Sequence, residues 1–336
     1  MTLYIMNEII QEPVTEYGYD SQHEEVTRRW QPVRVLKIVL RLLIGAFFIT
    51  TGILKLLSID SFELYIYSFH LFNYLLCTVI ARLVIMAELL LGAFLILKIL
   101  YKPVWWTTMA MLVGFTFLLI YVAIFRKDAN CHCMGELVEL NPTWSIFKNV
   151  ITMALMLLIR KEEPARFKGW KAVGIVLAVA AFAAPFALFP MDSVWNLFDR
   201  DGQSINEPRF EEFMQDTIAL SLDIDDGNYI LGYVAAGCKY CKTGGKKLNS
   251  IVENNHLDTN KVIFFIWGKD ESIQKFKEES GATHFRYATI DPFTAIEVVN
   301  GKFPTFLYVQ DGKQVKAVDL HSMVESEVVK HLSKSN

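Results

Sequence analysis

The sequence predicts a membrane α-helical bundle of about five transmembrane helices, followed by a soluble α/β domain. Three observations carry this prediction. Hydrophobic residues make up 53% of the chain, which is a high share for a soluble protein. They are unevenly spread, because residues 34–190 are dominated by apolar runs and residues 195–336 have an ordinary globular composition. The 336 residues are also enough for two domains of common size.

Five apolar stretches are candidate spans of this bundle. Residues 103–125 and 172–191 carry no charge, and each reaches the roughly 20 residues that a membrane helix needs. The other three are short or contain charged side chains, and they lie at 35–57, 73–99 and 143–159. We therefore expect a transmembrane domain over residues 33–190.

The Lys and Arg residues of the short loops predict the orientation of the bundle. They cluster before the first span, after the second and between the fourth and fifth, whereas residues 58–72 contain none. Cytoplasmic loops carry the excess of positive charge, so five spans place the C-terminal domain outside. We expect a multi-pass protein in the lipid bilayer of a bacterial inner (cytoplasmic) membrane, with this domain in the periplasm. Residues 1–32 lack the apolar core of a signal peptide and are expected to form a cytoplasmic tail.

Strand and helix patterns alternate after the last span. Residues 191–214 are expected to form a linker, and residues 215–336 the α/β domain. Its strands are predicted at 228–236, 261–267, 304–310 and 313–319, and its helices at 241–254, 271–280 and 323–333. Asp311-Gly312 is a hairpin turn between the last two strands. The net charge of -3 and the lack of a basic stripe argue against a nucleic-acid partner.

A Cys-x-x-Cys motif lies between the first predicted strand and the helix that follows it. It reads Cys238-Lys239-Tyr240-Cys241. The N-terminus of a helix carries partial positive charge and unpaired N–H groups, which favour a thiolate over a thiol. Cys238 is therefore the predicted nucleophile, and Cys241 the resolving thiol. The alternatives are a structural bridge and half of a zinc site, although a zinc site would need two further ligands.

This domain resembles the thioredoxin superfamily over roughly residues 215–336. The matching positions are Cys238, Cys241 and Pro304, and the resemblance implies that a cis-proline at 304 packs against the active cysteines. Gly237 stands where typical thioredoxins have Trp before the first cysteine. The resemblance implies a redox function for the Cys238/Cys241 dithiol.

A second cysteine pair, Cys131 and Cys133, follows the third predicted span. Cysteines two positions apart can form only a small, strained ring, and strained disulfides are readily reduced. An electron relay is one interpretation, and a structural bridge is another. The third is a metal site, because Cys131, His132 and Cys133 supply three soft ligands, which His70 and Cys77 could complete. Cys77 alone is more typical of a small buried hydrophobic residue.

Three stretches of the apolar half resemble the DoxX-like membrane proteins, and specifically their methylamine-utilisation (MauE) branch. They are residues 51–55, 87–92 and 131–135, within a resemblance that covers roughly residues 33–160. The branch has an aromatic residue where Met134 stands here. The resemblance implies a role in the redox maturation of extracytoplasmic proteins.

Glu88 lies near the middle of the second predicted span. An acid at that depth is costly, and it is therefore a candidate functional residue. Glu88 follows Cys77 by eleven residues and would share its helix face, roughly 16 Å along the axis, which suggests a proton path. The alternative is that Glu88 pairs with Arg82 or Lys55 inside the bundle.

Two dithiol motifs that face one compartment predict a membrane thiol–disulfide oxidoreductase. Cys238 would exchange with extracytoplasmic protein thiols or disulfides, and Cys131/Cys133 would pass electrons to or from the membrane. A quinone would be the acceptor if the protein oxidises its clients. The first alternative is a non-catalytic maturation factor or metallochaperone for an extracytoplasmic redox protein. The second is a transporter of small sulfur compounds.

Overall fold

The computed structural model describes residues 21–126, 141–162, 164, 168–192, 203–224 and 226–333. Its N-terminal half is helical. The helices are α1 (Ser21–Leu57), α2 (Ile59–Tyr67), α3 (Tyr74–Leu97), α4 (Tyr101–Tyr121), α5 (Pro142–Leu158) and α6 (Trp170–Leu188). Helix α4 continues through a π-helical turn, Val122–Arg126. Helix α1 begins inside the predicted tail 1–32 and runs without a break into the first predicted span.

Within the described residues, three helices are long and apolar enough to cross a membrane, namely α3, α4 with its π-helical turn, and α6. A fourth candidate span is the pair Pro32–Leu57 and Ile59–Tyr67, which is bent by 86°. Helix α5 is a shorter apolar helix of 17 residues. The five predicted spans thus correspond to four candidate spans and one shorter helix. Helix α2 lies within residues 58–72, where the sequence predicted a loop.

Hydrogen bonds show that the helices run alternately between two ends of the bundle. Helices α4 and α5 are antiparallel, since Tyr101 Oη donates to the carbonyl of Ile159 at 2.6 Å and Asn149 lies beside Thr116. Helices α1 and α3 are also antiparallel and pack closely at two glycines. A Cβ built on Gly45 would lie 2.8 Å from the carbonyl oxygen of Gly92, so only small residues allow this approach.

The C-terminal half is a mixed five-stranded sheet with helices on both faces. Its strands are β1 (Asn228–Ala235), β2 (Val262–Trp267), β3 (Arg286–Thr289), β4 (Thr305–Gln310) and β5 (Lys313–Val318), in the order β3-β2-β1-β4-β5. Strands β1, β2 and β3 are parallel, and β4 is antiparallel to β1 and β5. The helices are α7 (Glu207–Met214), α8 (Thr217–Leu220), α9 (Lys239–Asn254), α10 (Asp270–Ser280), α11 (Pro292–Val298) and α12 (Glu325–Leu332). A membrane helical bundle followed by an α/β domain, as predicted, is therefore confirmed.

Helix α7 lies within residues 191–214, for which the sequence predicted a linker. Its side chains Phe210 and Phe213 are buried against the sheet residues Tyr233 and Phe265. The packed α/β unit thus includes residues on the N-terminal side of 215. Apolar residues at this spacing cover one face of a short helix, and only their burial against the sheet stabilises it.

The α/β domain is docked on the end of the bundle formed by α2 and the start of α3. Glu325, at the start of α12, accepts hydrogen bonds from Tyr67 Oη at 2.7 Å and from the backbone N–H of Tyr74 at 2.8 Å. Asn254 Nδ2, at the end of α9, donates to the carbonyl of Tyr67 at 3.2 Å. Leu64, Tyr67, Tyr74 and Cys77 also pack into the hydrophobic core of the domain. The two halves of the chain therefore share one core.

A buried ion pair completes this contact. Lys247 of α9 has no exposed side-chain surface, and its Nζ lies 2.7 Å from Asp192 Oδ2, just after α6. Lys247 Nζ also donates to the carbonyl of Leu320 at 2.8 Å and lies 4.7 Å from the centre of the Tyr74 ring. His321 Nδ1 approaches Asp192 Oδ1 at 3.2 Å. Burial raises the pKa of Asp192, but the charge of Lys247 and the His321 hydrogen bond outweigh it and lower the pKa overall.

We expect Lys247→Met to destabilise the docked α/β domain by about 3 kcal/mol, because it leaves a buried carboxylate without its cation. Lys242→Met is the matched control on the same helix. Lys242 pairs with Glu279 on the surface, where an ion pair contributes roughly 0.5 kcal/mol. Denaturant unfolding of both variants in detergent measures the difference. Equal stability of the two variants would contradict the importance of the buried pair.

Candidate functional site

Cys238 caps the N-terminus of α9. Strand β1 ends at Ala235 and α9 begins at Lys239, so Cys238 lies in the short connection, with an extended backbone. Its Sγ accepts a hydrogen bond from the backbone N–H of Cys241 at 3.2 Å. The backbone N–H of Cys241 is thus directed at the Cys238 sulfur, which lies at the positive end of the helix. The side chain is half-buried, so reagents can reach it.

Cys241 occupies the first turn of the same helix and has no exposed surface. Burial raises the pKa of its thiol well above the usual value, and its hydrogen bond with Cys238 raises it further. Cys241 is therefore protonated at neutral pH when both thiols are reduced. The two thiols therefore differ in access, because Cys238 is half-buried and Cys241 has no exposed surface.

Pro304 and Gly244 bring β4 close to the dithiol helix. The peptide bond between Phe303 and Pro304 is cis, and Pro304 is buried. A Cβ built on Gly244 would lie 2.9 Å from the Phe306 ring and 3.2 Å from Pro304 Cγ. Glycine at 244 thus allows α9 to pack directly on the segment that contains the cis-proline. The glycine pair 244–245 is the signal in the sequence for this close approach.

An ion pair reduces the positive charge around the dithiol. Lys239 and Lys242 follow Cys238 closely along the chain, and two lysines there would add positive charge beside it. Lys242 instead forms an ion pair with Glu279 of α10, with 2.5 Å between Nζ and Oε2. The pairing lowers the pKa of Glu279, and it offsets much of the Lys242 charge. The helix N-terminus is therefore the main electropositive feature beside Cys238.

Of the other three cysteines, the structure describes only Cys77. Cys131, His132 and Cys133 lie outside the described residues. Cys77 is a fully buried free thiol in the core shared by the two domains, where its Sγ approaches the carbonyl of Phe72 at 3.8 Å. Among the residues that the structure describes, no group of three or more His, Cys, Asp and Glu side chains could hold a metal ion.

Glu88 forms a buried ion pair with Lys55 of α1. Lys55 Nζ lies 2.6 Å from Glu88 Oε1 and 2.8 Å from Oε2. Of the two partners predicted for Glu88, Lys55 is right and Arg82 is wrong. Arg82 pairs with Glu63 of α2 and donates to the carbonyl of Phe189 at 2.9 Å. Sequence analysis missed Glu63, because residues 58–72 carried no recognisable helix signal.

Arg126 is a further residue that sequence analysis did not single out. It ends the π-helical turn, five residues before Cys131. Its guanidinium donates to the carbonyl and the hydroxyl of Ser68, at 2.9 Å and 3.0 Å. The guanidinium carbon also lies 4.5 Å from the centre of the Phe69 ring. Arg126, the last described residue before Cys131 and Cys133, is thus held against the end of α2, where Tyr67 contacts α9.

The fold and the site define a class of multi-pass membrane protein whose appended α/β domain presents a Cys-x-x-Cys dithiol at a helix N-terminus. Residues 33–161 match the family described as methylamine utilisation protein MauE. Protein TlpB of Flavobacterium psychrophilum is 25% identical over 339 residues, which cover 84% of this chain and 90% of that protein. No solved structure matches the chain. The first two similarities support a MauE-type membrane protein.

We expect iodoacetamide at pH 7 to alkylate Cys238 at least tenfold faster than Cys241, since only an accessible thiolate reacts. Mass spectrometry of the reduced protein over time measures both rates. In Cys238→Ser, the slow alkylation of Cys241 should rise with pH beyond the ordinary thiol pKa of 9.0. Equal rates for the two thiols at pH 7 would contradict the assigned roles.

We expect Gly244→Val to destabilise the α/β domain by about 2 kcal/mol, because the new side chain overlaps the Phe306 ring and Pro304. Gly237→Val is the matched control on the other side of the dithiol, where a Cβ meets nothing within 4 Å. Thermal or denaturant unfolding measures the difference. A stable Gly244→Val protein would show that β4 does not pack on α9 as closely as described.

Proposed function

We propose that this protein is a membrane thiol–disulfide oxidoreductase that acts on extracytoplasmic protein thiols or disulfides. The observation that carries the proposal is the asymmetry of the Cys238/Cys241 dithiol. Cys238 is accessible at a helix N-terminus and accepts an N–H from Cys241, whereas Cys241 is buried with a raised pKa. Such a pair attacks a client with one sulfur and releases it with the other.

The α/β domain is proposed to be thioredoxin-like. A strand, a dithiol-bearing helix and a second parallel strand precede a β-hairpin and a final helix. The cis-proline lies directly before β4 and packs on the dithiol helix through Gly244. These features support the resemblance, which rests on Cys238, Cys241 and Pro304 as its site residues.

We further propose that Cys131 and Cys133 exchange electrons with Cys238 and Cys241. The support comes from Arg126, the last described residue before Cys131, and from the contacts around it. Arg126 is anchored to Ser68, and the neighbouring Tyr67 bonds Asn254 of the dithiol helix and Glu325 of α12. Five residues of chain reach at most roughly 17 Å, so Cys131 remains within that distance of Arg126. This favours the same membrane face for both dithiols.

The proposed compartment is the periplasm, with the bundle in a bacterial inner membrane. The basic residues Lys98 and Arg41 lie together at the other end of the bundle, where both approach Glu162, at 3.5 Å and 3.1 Å. Cytoplasmic loops carry an excess of Lys and Arg, so this end of the bundle is the one that we propose faces the cytoplasm. The docked α/β domain would then face the oxidising side, where disulfides form and persist.

Electrons taken from clients need an acceptor. In the oxidising direction, two client thiols become a disulfide, and their two electrons pass through Cys238/Cys241 and Cys131/Cys133. A membrane quinone is the acceptor that we propose, because it is soluble in the bilayer and takes up two electrons and two protons. A metallochaperone would instead retain copper or zinc, so one tightly bound ion per purified chain would contradict the redox proposal.

We expect Cys241→Ser to trap Cys238 in a mixed disulfide, because the thiol that would resolve it is absent. Non-reducing mass spectrometry of the full chain in membranes identifies the partner. A link to Cys131 or Cys133 supports the internal relay. Trapping only with other proteins would count against it. Cys238→Ser is one control, and we expect no trapped species in it. Cys77→Ser is the other, and we expect Cys238 to be alkylated in it at the normal rate.

A further inference from the structure

The helical bundle contains a cavity of about 220 Å³ that the dithiol chemistry does not explain. It lies among α1, α2, α3, α4 and α5. Seven aromatic side chains line it together with aliphatic ones, and they include Phe47, Phe48, Phe62, Phe69, Phe72 and Phe115. An apolar cavity of about 150 Å³ holds a benzene ring, so this one has room for a substituted planar ring.

The cavity is accessible from the surface of the bundle near the end that contacts the α/β domain. Leu71, Phe72 and Leu118 line it, and all three side chains are well exposed on the bundle. This surface is apolar: Leu71 and Phe72 lie in the connection between α2 and α3, and Leu118 lies on α4, which is long and apolar enough to cross a membrane. A molecule entering here would therefore come from the bilayer, which restricts the ligand to a lipid-soluble one.

The Lys55–Glu88 ion pair lies on the wall of this cavity. Lys55 donates two hydrogen bonds to Glu88, and no other acceptor is found for it in the described part of the chain. An ammonium has three N–H groups, so the third can donate to an oxygen inside the cavity. A buried donor of this kind stabilises negative charge that develops on a carbonyl oxygen during reduction.

The same cavity borders the segment that leads to Cys131. Phe69 and Tyr65 line it, and their ring centres lie 4.5 Å and 5.7 Å from the guanidinium carbon of Arg126. A ligand in the cavity would thus be separated from Arg126, five residues before Cys131, by one layer of side chains.

We propose that this cavity binds the ring of an isoprenoid quinone, with Lys55 donating to one of its carbonyl oxygens. The proposal rests on the proposed thiol–disulfide function and assigns its acceptor site. In the overall reaction two S–H bonds break and one S–S bond forms, while the quinone becomes a hydroquinone. The two electrons and two protons lost by the dithiol equal those gained by the ring. The aromatic rings on the wall and the buried ammonium of Lys55 distinguish this ligand from an acyl chain, which carries no ring or acceptor at this depth.

A photoreactive azido-naphthoquinone with a short side chain tests the site. The full chain in phosphatidylcholine nanodiscs is labelled and digested, and the labelled peptides are identified by mass spectrometry. We expect label in residues 62–72 or 112–119, competed by unlabelled menaquinone-4. Label that menaquinone does not compete, or that a photoreactive phospholipid gives equally at the same residues, would overturn the proposal.

Val84→Phe and Leu83→Phe form a matched pair for this experiment. Val84 lines the cavity, whereas the adjacent Leu83 is 43% exposed on the outside of the same helix. We expect Val84→Phe to lower the competed label at least tenfold and Leu83→Phe to lower it less than twofold. Equal labelling of the two variants would place the quinone elsewhere and overturn the proposal.

Lys55→Met with Glu88→Gln removes the donor without leaving a buried charge unpaired. We expect at least tenfold weaker quinone binding and a carbonyl stretching frequency of the bound quinone closer to that of the free molecule. An unchanged frequency in this double variant would overturn the role of Lys55.

In the parent chain and in each variant, an added Cys241→Ser substitution reports mixed-disulfide trapping by Cys238. Trapping in a parent chain that shows no competed quinone label overturns only the cavity assignment, whereas a parent chain that shows no trapping overturns the thiol–disulfide function.

Discussion

Buried charges must be paired, and this constraint determines how the helices and the two domains of this protein fit together. Lys55 and Glu88 hold α1 against α3, and Arg82 joins α3 to α2 through Glu63. Lys247 and Asp192 join the dithiol helix to the end of α6. A charge in a low-dielectric interior costs several kcal/mol unless its partner is well placed, so each pair permits few alternative arrangements.

The α/β domain is docked on the bundle partly through the buried Lys247–Asp192 ion pair, and this docking sets the orientation of the dithiol. The dithiol is at one end of α9, while Lys247 and Asn254 of that helix contact the bundle. The orientation of Cys238 relative to the membrane is therefore set by contacts several turns away from it. Because Tyr67 meets α9 and the adjacent Ser68 holds Arg126, the end of the π-helical turn and the dithiol helix are attached to one short segment.

Local patterns were sufficient to predict much of this structure. Strong periodicity located β1, β2, β4, β5 and the helix after Cys238 within one or two residues. Weak patterns failed: β3 and α11 were not predicted, and α7 lay in a predicted linker. These elements are short, and contacts with distant residues stabilise them. The sequence likewise left two partners open for Glu88, namely Arg82 on the same helix and Lys55 on α1. The choice between them depends on how the two helices pack.

The sequence by itself determined the division into an apolar and a globular half, and the position of the Cys-x-x-Cys motif between a strand and a helix, because hydropathy and local periodicity act over short stretches of chain. Only the tertiary structure decided that Lys55 rather than Arg82 pairs with Glu88, that Lys242 is neutralised by Glu279, and that a ring-lined cavity lies beside the ion pair. These features join residues that are 33 or more positions apart, and their distances follow from the packing of whole helices.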